Sequence, residues 1–240
     1  MKDTDDDIRK FLEAMPDKYD ILEEGIDIDT HMEYLEYSHS FGQCELTEEQ
    51  TLGLGYMLLD DRIKAEGKKK ALGLLAHLGT VTAFRQIEKY YHHPQNEVKK
   101  WTALALQECK MFLESTLTEK NTGFISSGLG GINGKLRIFF LVLPLTDHQF
   151  PAIQQKIIND EFRLVAKDLK CSIETIDNSK TFVGFTVLIP MDIAIGIFIE
   201  KGIQKCNELG SFVFEYYFVT NQEIPDRQEI TEIIKKVRED

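Results

Sequence analysis

The sequence predicts an α+β protein in two halves, a helical first half and a second half in which strands and helices alternate. Three observations carry this. Apolar residues recur at helical spacing up to about residue 113. After Lys120 two long, almost unbroken apolar runs appear, at 136–145 and 181–189, bounded by glycine, proline and turn residues. The charge also divides: residues 1–61 hold 4 basic and 18 acidic side chains, residues 62–120 hold 11 and 6, and residues 121–240 hold 13 and 16. The expected domains are therefore a helical 1–120, acidic over 1–61 and basic over 62–120, and an α+β domain over 121–240.

A hydrophobic share of 42% and a charged share of 28% over 240 residues allow a sizeable core and exclude a disordered chain. No apolar run approaches the roughly 20 residues that span a bilayer, so no membrane role is expected. The start, Met-Lys-Asp-Thr-Asp-Asp-Asp, lacks the apolar core of a secretion signal. Cys44, Cys109, Cys171 and Cys206 are scattered, which fits reduced thiols in a cytoplasmic protein better than a disulfide framework or a structural zinc site.

Along the first half, residues 5–14 form a short amphipathic helix with Asp5, Asp6 and Asp7 in its first turn, where they favour the positive end of the helix dipole. A second short helix covers 30–38. Thr47, followed three residues on by Gln50, predicts a capping box and a helix running to about residue 64. From Lys68 the pattern sharpens into three helices, at about 68–79, 81–91 and from Lys99 onwards. A shift of 30 residues lays Lys69-Lys70-Ala71 over Lys99-Lys100-Trp101.

Pro94, Glu97-Val98-Lys99 and Ala103-Leu104-Ala105-Leu106 give the stretch 68–113 a turn, a Glu-Val-basic step and an Ala/Leu-rich helix in succession. In this it resembles a HEAT-type helical repeat, with His93 in place of the usual Asp, Lys99 in place of Arg and the bulkier Trp101 in place of Ala. The resemblance implies a stacked-helix surface of the kind that binds other macromolecules. On that reading Lys68, Lys69, Lys70, Lys99 and Lys100 stand at equivalent helix starts and form a candidate basic patch for an acidic partner. The competing reading is that these cations are solvated or paired within the chain.

In the second half, a buried strand at 136–145 is followed by a helix capped by Asp147, with Phe150, Ile153, Ile157, Phe162, Val165 and Leu169 on one face. Then come a polar strand at 171–176, a turn at 177–180, an apolar strand at 181–189, a helix capped by Asp192, a strand at 212–220 and a last helix at 227–237. Strand-helix-strand-strand-helix-strand is the ferredoxin-like, split βαβ order. The two apolar strands belong in the middle of such a sheet and the polar one at an edge. Two helices cover one face. The other face is apolar as well and must be covered by the helical half, the last helix or a second copy, which makes a homodimer one of the expected arrangements.

Chemistry is harder to find. The glycine-rich segment contains Ser126, Ser127, Gly128, Gly130, Gly131, Asn133, Lys135 and Arg137 as candidate ligand- or partner-binding residues. It fails the phosphate-loop pattern, because Leu129 stands where the first glycine belongs and Leu136 follows Gly134-Lys135. It fails the dinucleotide pattern at Asn133. A tight turn into the first strand is the structural alternative. No histidine pair has metal-binding spacing, no nucleophile motif is present, and no metal or cofactor is expected. The expectation is a non-enzymatic interaction or scaffold protein with a protein partner; the alternative is a small-molecule-sensing module using the glycine-rich loop. The acidic balance argues against nucleic acid as a partner.

Overall fold

The computed structural model describes residue 16, residues 18–38, residue 40 and residues 45–146 and 149–239. The expected helix over 5–14 with its Asp run, and Cys44, His39, Asp147 and His148, lie outside these residues. The chain divides into two compact units, Met1–Ser126 and Ser127–Asp240.

The first unit contains helices α1 (Ile28–Ser38), α2 (Glu48–Leu58), α3 (Ala65–Leu78), α4 (Val81–Tyr91) and α5 (Lys99–Thr118). The capping box is formed: Gln50 N donates to Thr47 Oγ1 at 3.2 Å, and Thr47 N donates to Gln50 Oε1 at 2.9 Å. α2 stops at Leu58, short of residue 64, because Asp60 accepts from the backbone and guanidinium of Arg62 and turns the chain. Leu58, Leu72, Leu75, Ile87, Trp101 and Leu104 are buried together as the core. Inside it the Glu108 carboxylate accepts from the hydroxyls of Tyr34 and Ser38.

The unit is not all-helical. Strand β1 (Lys18–Ile21) pairs in parallel with β2 (Thr122–Ile125). Lys110 on α5 fastens β1 through Asp20 at 2.8 Å. This pairing draws residues 122–125 into the first unit, so the division falls after Ser126 and not after Lys120.

The second unit contains β3 (Gly131–Ile132), β4 (Lys135–Val142), α6 (Ala152–Asp168), β5 (Ser172–Asn178), β6 (Val183–Pro190), α7 (Ile195–Glu208), β7 (Phe218–Thr220) and α8 (Arg227–Glu239). β4 and β6 are the central antiparallel pair, with Phe140 opposite Phe185. β5 lies outside β6. β7 and the short β3 lie along the other side of β4. The order is that of a ferredoxin-like sheet, with the apolar strands central. Phe140, Phe162, Phe185 and Phe198 fill the layer between the sheet and α6 and α7. Full burial of each such ring is worth roughly 1.5–3 kcal/mol.

The opposite face is covered by the last helix. Phe139, Leu141, Leu143 and Phe182 pack with Ile230, Ile233, Ile234 and Val237 of α8. Of the three covers the sequence left open, the chain supplies its own.

Other differences are local. On α6, Ile158 is buried while Ile153 is 65% exposed, and Pro151 is the N-cap residue. Ala194, not Asp192, caps α7. The fourth strand is regular only over its last three residues. Residues 212–214 meet the extension of β4 at a bridge between Pro144 and Val213, where Asn207 Oδ1 also accepts the N–H groups of Phe212 and Val213, and residues 215–217 lie outside the ladder.

Candidate functional site

The glycine-rich segment is a tight structure in which Ser127, Lys135 and Arg137 already use their side-chain donors within the chain. Asn133 and Gly134 both have positive φ, 51° and 72°, and form the two-residue turn of the β3–β4 hairpin, the Asn-Gly combination that such turns favour. Gly128 lies against the backbone of Gln222, where a Cβ would meet the carbonyl. Ser127 is buried and donates to Gly130 O, and Gly130 N donates back to Ser127 O. Lys135 donates to Lys170 O and Ser172 Oγ. Arg137 donates to Leu129 O and forms a two-point pair with Glu174. The Ser126 hydroxyl is buried without a partner. The Gly130–Gly131 step and Asn133 shape the hairpin. The eight residues hold the first strand in place, and none of the concavities described below includes them.

The five lysines of the first unit are brought to the starts of α3 and α5, where four of them are engaged. Lys68 is only 3% exposed, with its ammonium 3.4 Å from Glu97 and facing the Tyr90 ring. Lys69 pairs with Glu33 at 2.6 Å and stacks on Trp101. Lys99 donates to Tyr91 O and lies over the Tyr91 ring. Lys100 pairs with Asp27 at 2.8 Å. Lys70 is exposed. Asp27 is held below the usual carboxylate range, first by the hydrogen bond from Lys100 and then by the backbone and hydroxyl of Thr30. The acidic segment supplies the counter-charges of Lys69 and Lys100, while that of Lys68 comes from Glu97 within the basic segment.

A different set of cations is unengaged. Lys156, Arg163 and Lys167 stand at i, i+7 and i+11 on α6, a spacing that puts them on one stripe, and Lys170 follows just past the helix end at φ 56°. All four are exposed. Among the described residues no carboxylate comes within 4.0 Å of Lys156, Lys167 or Lys170, and Arg163 has only Asp160 at 3.7 Å. Arg163 and Lys167 border a groove of about 610 Å³ between α6 and the edge strand β5, floored by Ala166, Cys171 and Ile173. A second concavity of about 600 Å³, carrying Lys180, begins at the same Asn178 and continues to the start of α6. The sequence signal for this stripe was the i, i+7, i+11 spacing, which is invisible to a search for consecutive basic residues.

Burial pushes the Cys109 and Cys206 thiols up to about 12, so neither supplies a thiolate near neutral pH. No three His, Cys, Asp or Glu side chains converge as metal ligands among the described residues. No described helix is long and apolar enough to cross a membrane.

No protein-family model matches the chain, and no curated protein does. Among solved structures, one described as a transposase of Deinococcus radiodurans R1 is similar over 44% of this chain and 90% of its own, at 12% identity and a TM-score of 0.34. A REP-associated tyrosine transposase bound to a REP hairpin is similar over 45% of this chain and 66% of its own, at 12% identity and a TM-score of 0.33. The expectation of a non-enzymatic scaffold, or of a sensing module in its place, with nucleic acid discounted as a partner, is corrected on two grounds. Exposed cations of α6 stand without a carboxylate partner among the described residues, so the net negative charge does not discount nucleic acid. The apolar sheet face that motivated docking or dimerisation is closed by α8. What this chain itself binds is left to its own charge and geometry.

Proposed function

We propose that the second unit binds nucleic acid, with a sugar-phosphate backbone lying along α6 and the groove beside β5. One observation carries this: the exposed stripe of Lys156, Arg163, Lys167 and Lys170, three of its members without a carboxylate partner among the described residues. Affinity for nucleic acid comes largely from cations that displace the counterions condensed on phosphates, so local free cations count for more than net charge. At 1.5 Å per residue the stripe is roughly 20 Å long, over half of one turn of a B-form duplex. Lys180 extends it. In the helical unit, with α3 to α5 in HEAT-like succession, Lys68, Lys69 and Lys100 already hold carboxylates. The scattered cysteines keep the cytoplasm as the proposed compartment.

The test is fluorescence anisotropy of the full chain with a labelled DNA hairpin over a series of salt concentrations. Binding is expected with a steep negative slope of log affinity against log salt, about 0.9 for each phosphate neutralised in duplex DNA. No binding at 50 mM salt, or binding whose slope is unchanged when the four stripe cations become glutamine, would overturn the proposal.

A further inference from the structure

The displaced fourth strand builds a second site. Residues 215–217 leave the sheet and stand opposite α7, and between them lies a cavity of about 790 Å³, within the size range of small-molecule sites. Its walls are the rings of Tyr216 and Tyr217, its floor is Ile203, and its rim carries Glu200, Glu208 and Glu215. The strand alternation of the sequence would have put Tyr216 under α8 with Phe214 and Phe218. Its ring does lie against Phe214, with centroids 5.3 Å apart, yet the residue is 62% exposed, an amphipathic ring left largely open to solvent.

The wall chemistry is one-sided. Glu208 is paired with Lys205 at 2.7 Å. Glu200 accepts from the Tyr217 hydroxyl at 3.3 Å, and that bond fixes the ring against α7. Among the described residues neither Glu200 nor Glu215 has a Lys, Arg or His nitrogen within 4.0 Å, and no basic side chain lines the cavity. Aromatic faces carry negative charge and attract cations, most strongly those that shed water easily, as alkylated ammonium groups do. Rings and carboxylates around one concavity with an apolar floor suit an ammonium group attached to carbon and repel phosphates and carboxylates.

We infer that this cavity binds a small organic cation, a quaternary ammonium or an alkyl polyamine, with its charge between Glu200 and Glu215 and its alkyl part on Tyr216 and Ile203. The site is separate from the α6 stripe and stands without the nucleic-acid proposal.

Isothermal titration calorimetry of the full chain tests it with three probes: choline, spermidine, and 3,3-dimethylbutan-1-ol, the uncharged isostere of choline. At least one of the two cations should bind with a Kd tighter than about 1 mM, while the isostere should not bind measurably. Tyr216→Ala and the pair Glu200→Gln/Glu215→Gln should each weaken binding about three- to tenfold, the size of one cation–π or ionic interaction. All three positions are at the surface, so the fold is spared, and circular dichroism checks that. Silence from both cations, equal binding of the isostere, or wild-type affinity in both variants would each overturn the inference.

Discussion

Two sets of cations in this molecule look alike in composition and differ in circumstance. The lysines at the starts of α3 and α5 are consecutive in sequence, conspicuous and, the exposed Lys70 apart, engaged: Lys68 with Glu97, Lys69 with Glu33 and Trp101, Lys99 with Tyr91, Lys100 with Asp27. The cations of α6 are dispersed in sequence, inconspicuous, and open to solvent, with one distant carboxylate among them. A cation that already has a carboxylate must give it up before it meets a phosphate, which offsets much of the gain. A free one loses only water. The comparison separates charge that holds a fold together from charge that is available.

The sharpest way to break it is to exchange the roles. Replacing Lys156, Arg163, Lys167 and Lys170 together with glutamine should lower DNA affinity about 100-fold or more near 0.15 M salt. The salt slope should flatten by about one unit for each phosphate that is no longer neutralised. Stability should hold within about 0.5 kcal/mol, as surface substitutions usually do. Replacing Lys69, Lys99 and Lys100 with glutamine should move DNA affinity less than about threefold. If the second variant loses binding and the first keeps it, the assignment is reversed, and anisotropy reads both.

Lys68 takes the comparison into the core. Lys68→Ala removes a stem that is almost wholly buried against Tyr90, and should destabilise the first unit by about 2 kcal/mol. Lys68→Met keeps the stem and removes the charge. Glu97 is half exposed and can return to water, so this variant should cost less than about 1 kcal/mol. Urea unfolding followed by Trp101, the single tryptophan and part of this core, reports on the first unit. Equal losses in the two variants would show that charge, and not packing, is what Lys68 contributes.

The contrast also marks what could be read in advance. Local signals were legible: the Thr47–Gln50 box, the Val81–Tyr91 helix, and the order of strands and helices in the second half all follow from short-range spacing. Pairings between distant segments were not. Nothing in the four residues from Lys18 announces that they lie beside Thr122–Ile125, and that pairing moved the domain boundary. Tyr216 and Tyr217 continue a good strand alternation, yet the ladder skips them and resumes only at Phe218–Thr220, while Glu200 on another element accepts from the Tyr217 hydroxyl. The glycine-rich loop attracted attention as a site because glycine frees the backbone. In the fold, that freedom goes into an Asn133–Gly134 turn and a close approach to Gln222. Whether a lysine is paired is likewise decided by residues far off in sequence, which is why the paired cluster was visible and the free stripe was not.

The smallest expected effect is on acid stability, and it separates the two regions by pH. Among the described residues, the carboxyls held below their usual range belong to the first unit. Asp20 is lowered chiefly by its hydrogen bond from Lys110, with Lys18 adding to it, and Asp27 chiefly by its hydrogen bond from Lys100. A carboxyl lowered in the folded state favours folding fully above its unfolded value, near 3.8 here, and loses that contribution as the pH falls further. The Trp101 melting temperature should therefore fall between pH 4 and pH 3 more steeply than between pH 6 and pH 4. Lys110→Gln removes the main cause of the Asp20 shift, and Lys100→Gln that of Asp27. Each should start from a slightly lower melting temperature at pH 6 and lose less on acidification. The α6 variant has no such carboxyl to release, so its acid slope should match the wild type. Equal slopes in all four proteins would mean that the first-unit pairs are as loosely held as the stripe is free, and the distinction between the two sets of cations would have no energetic content.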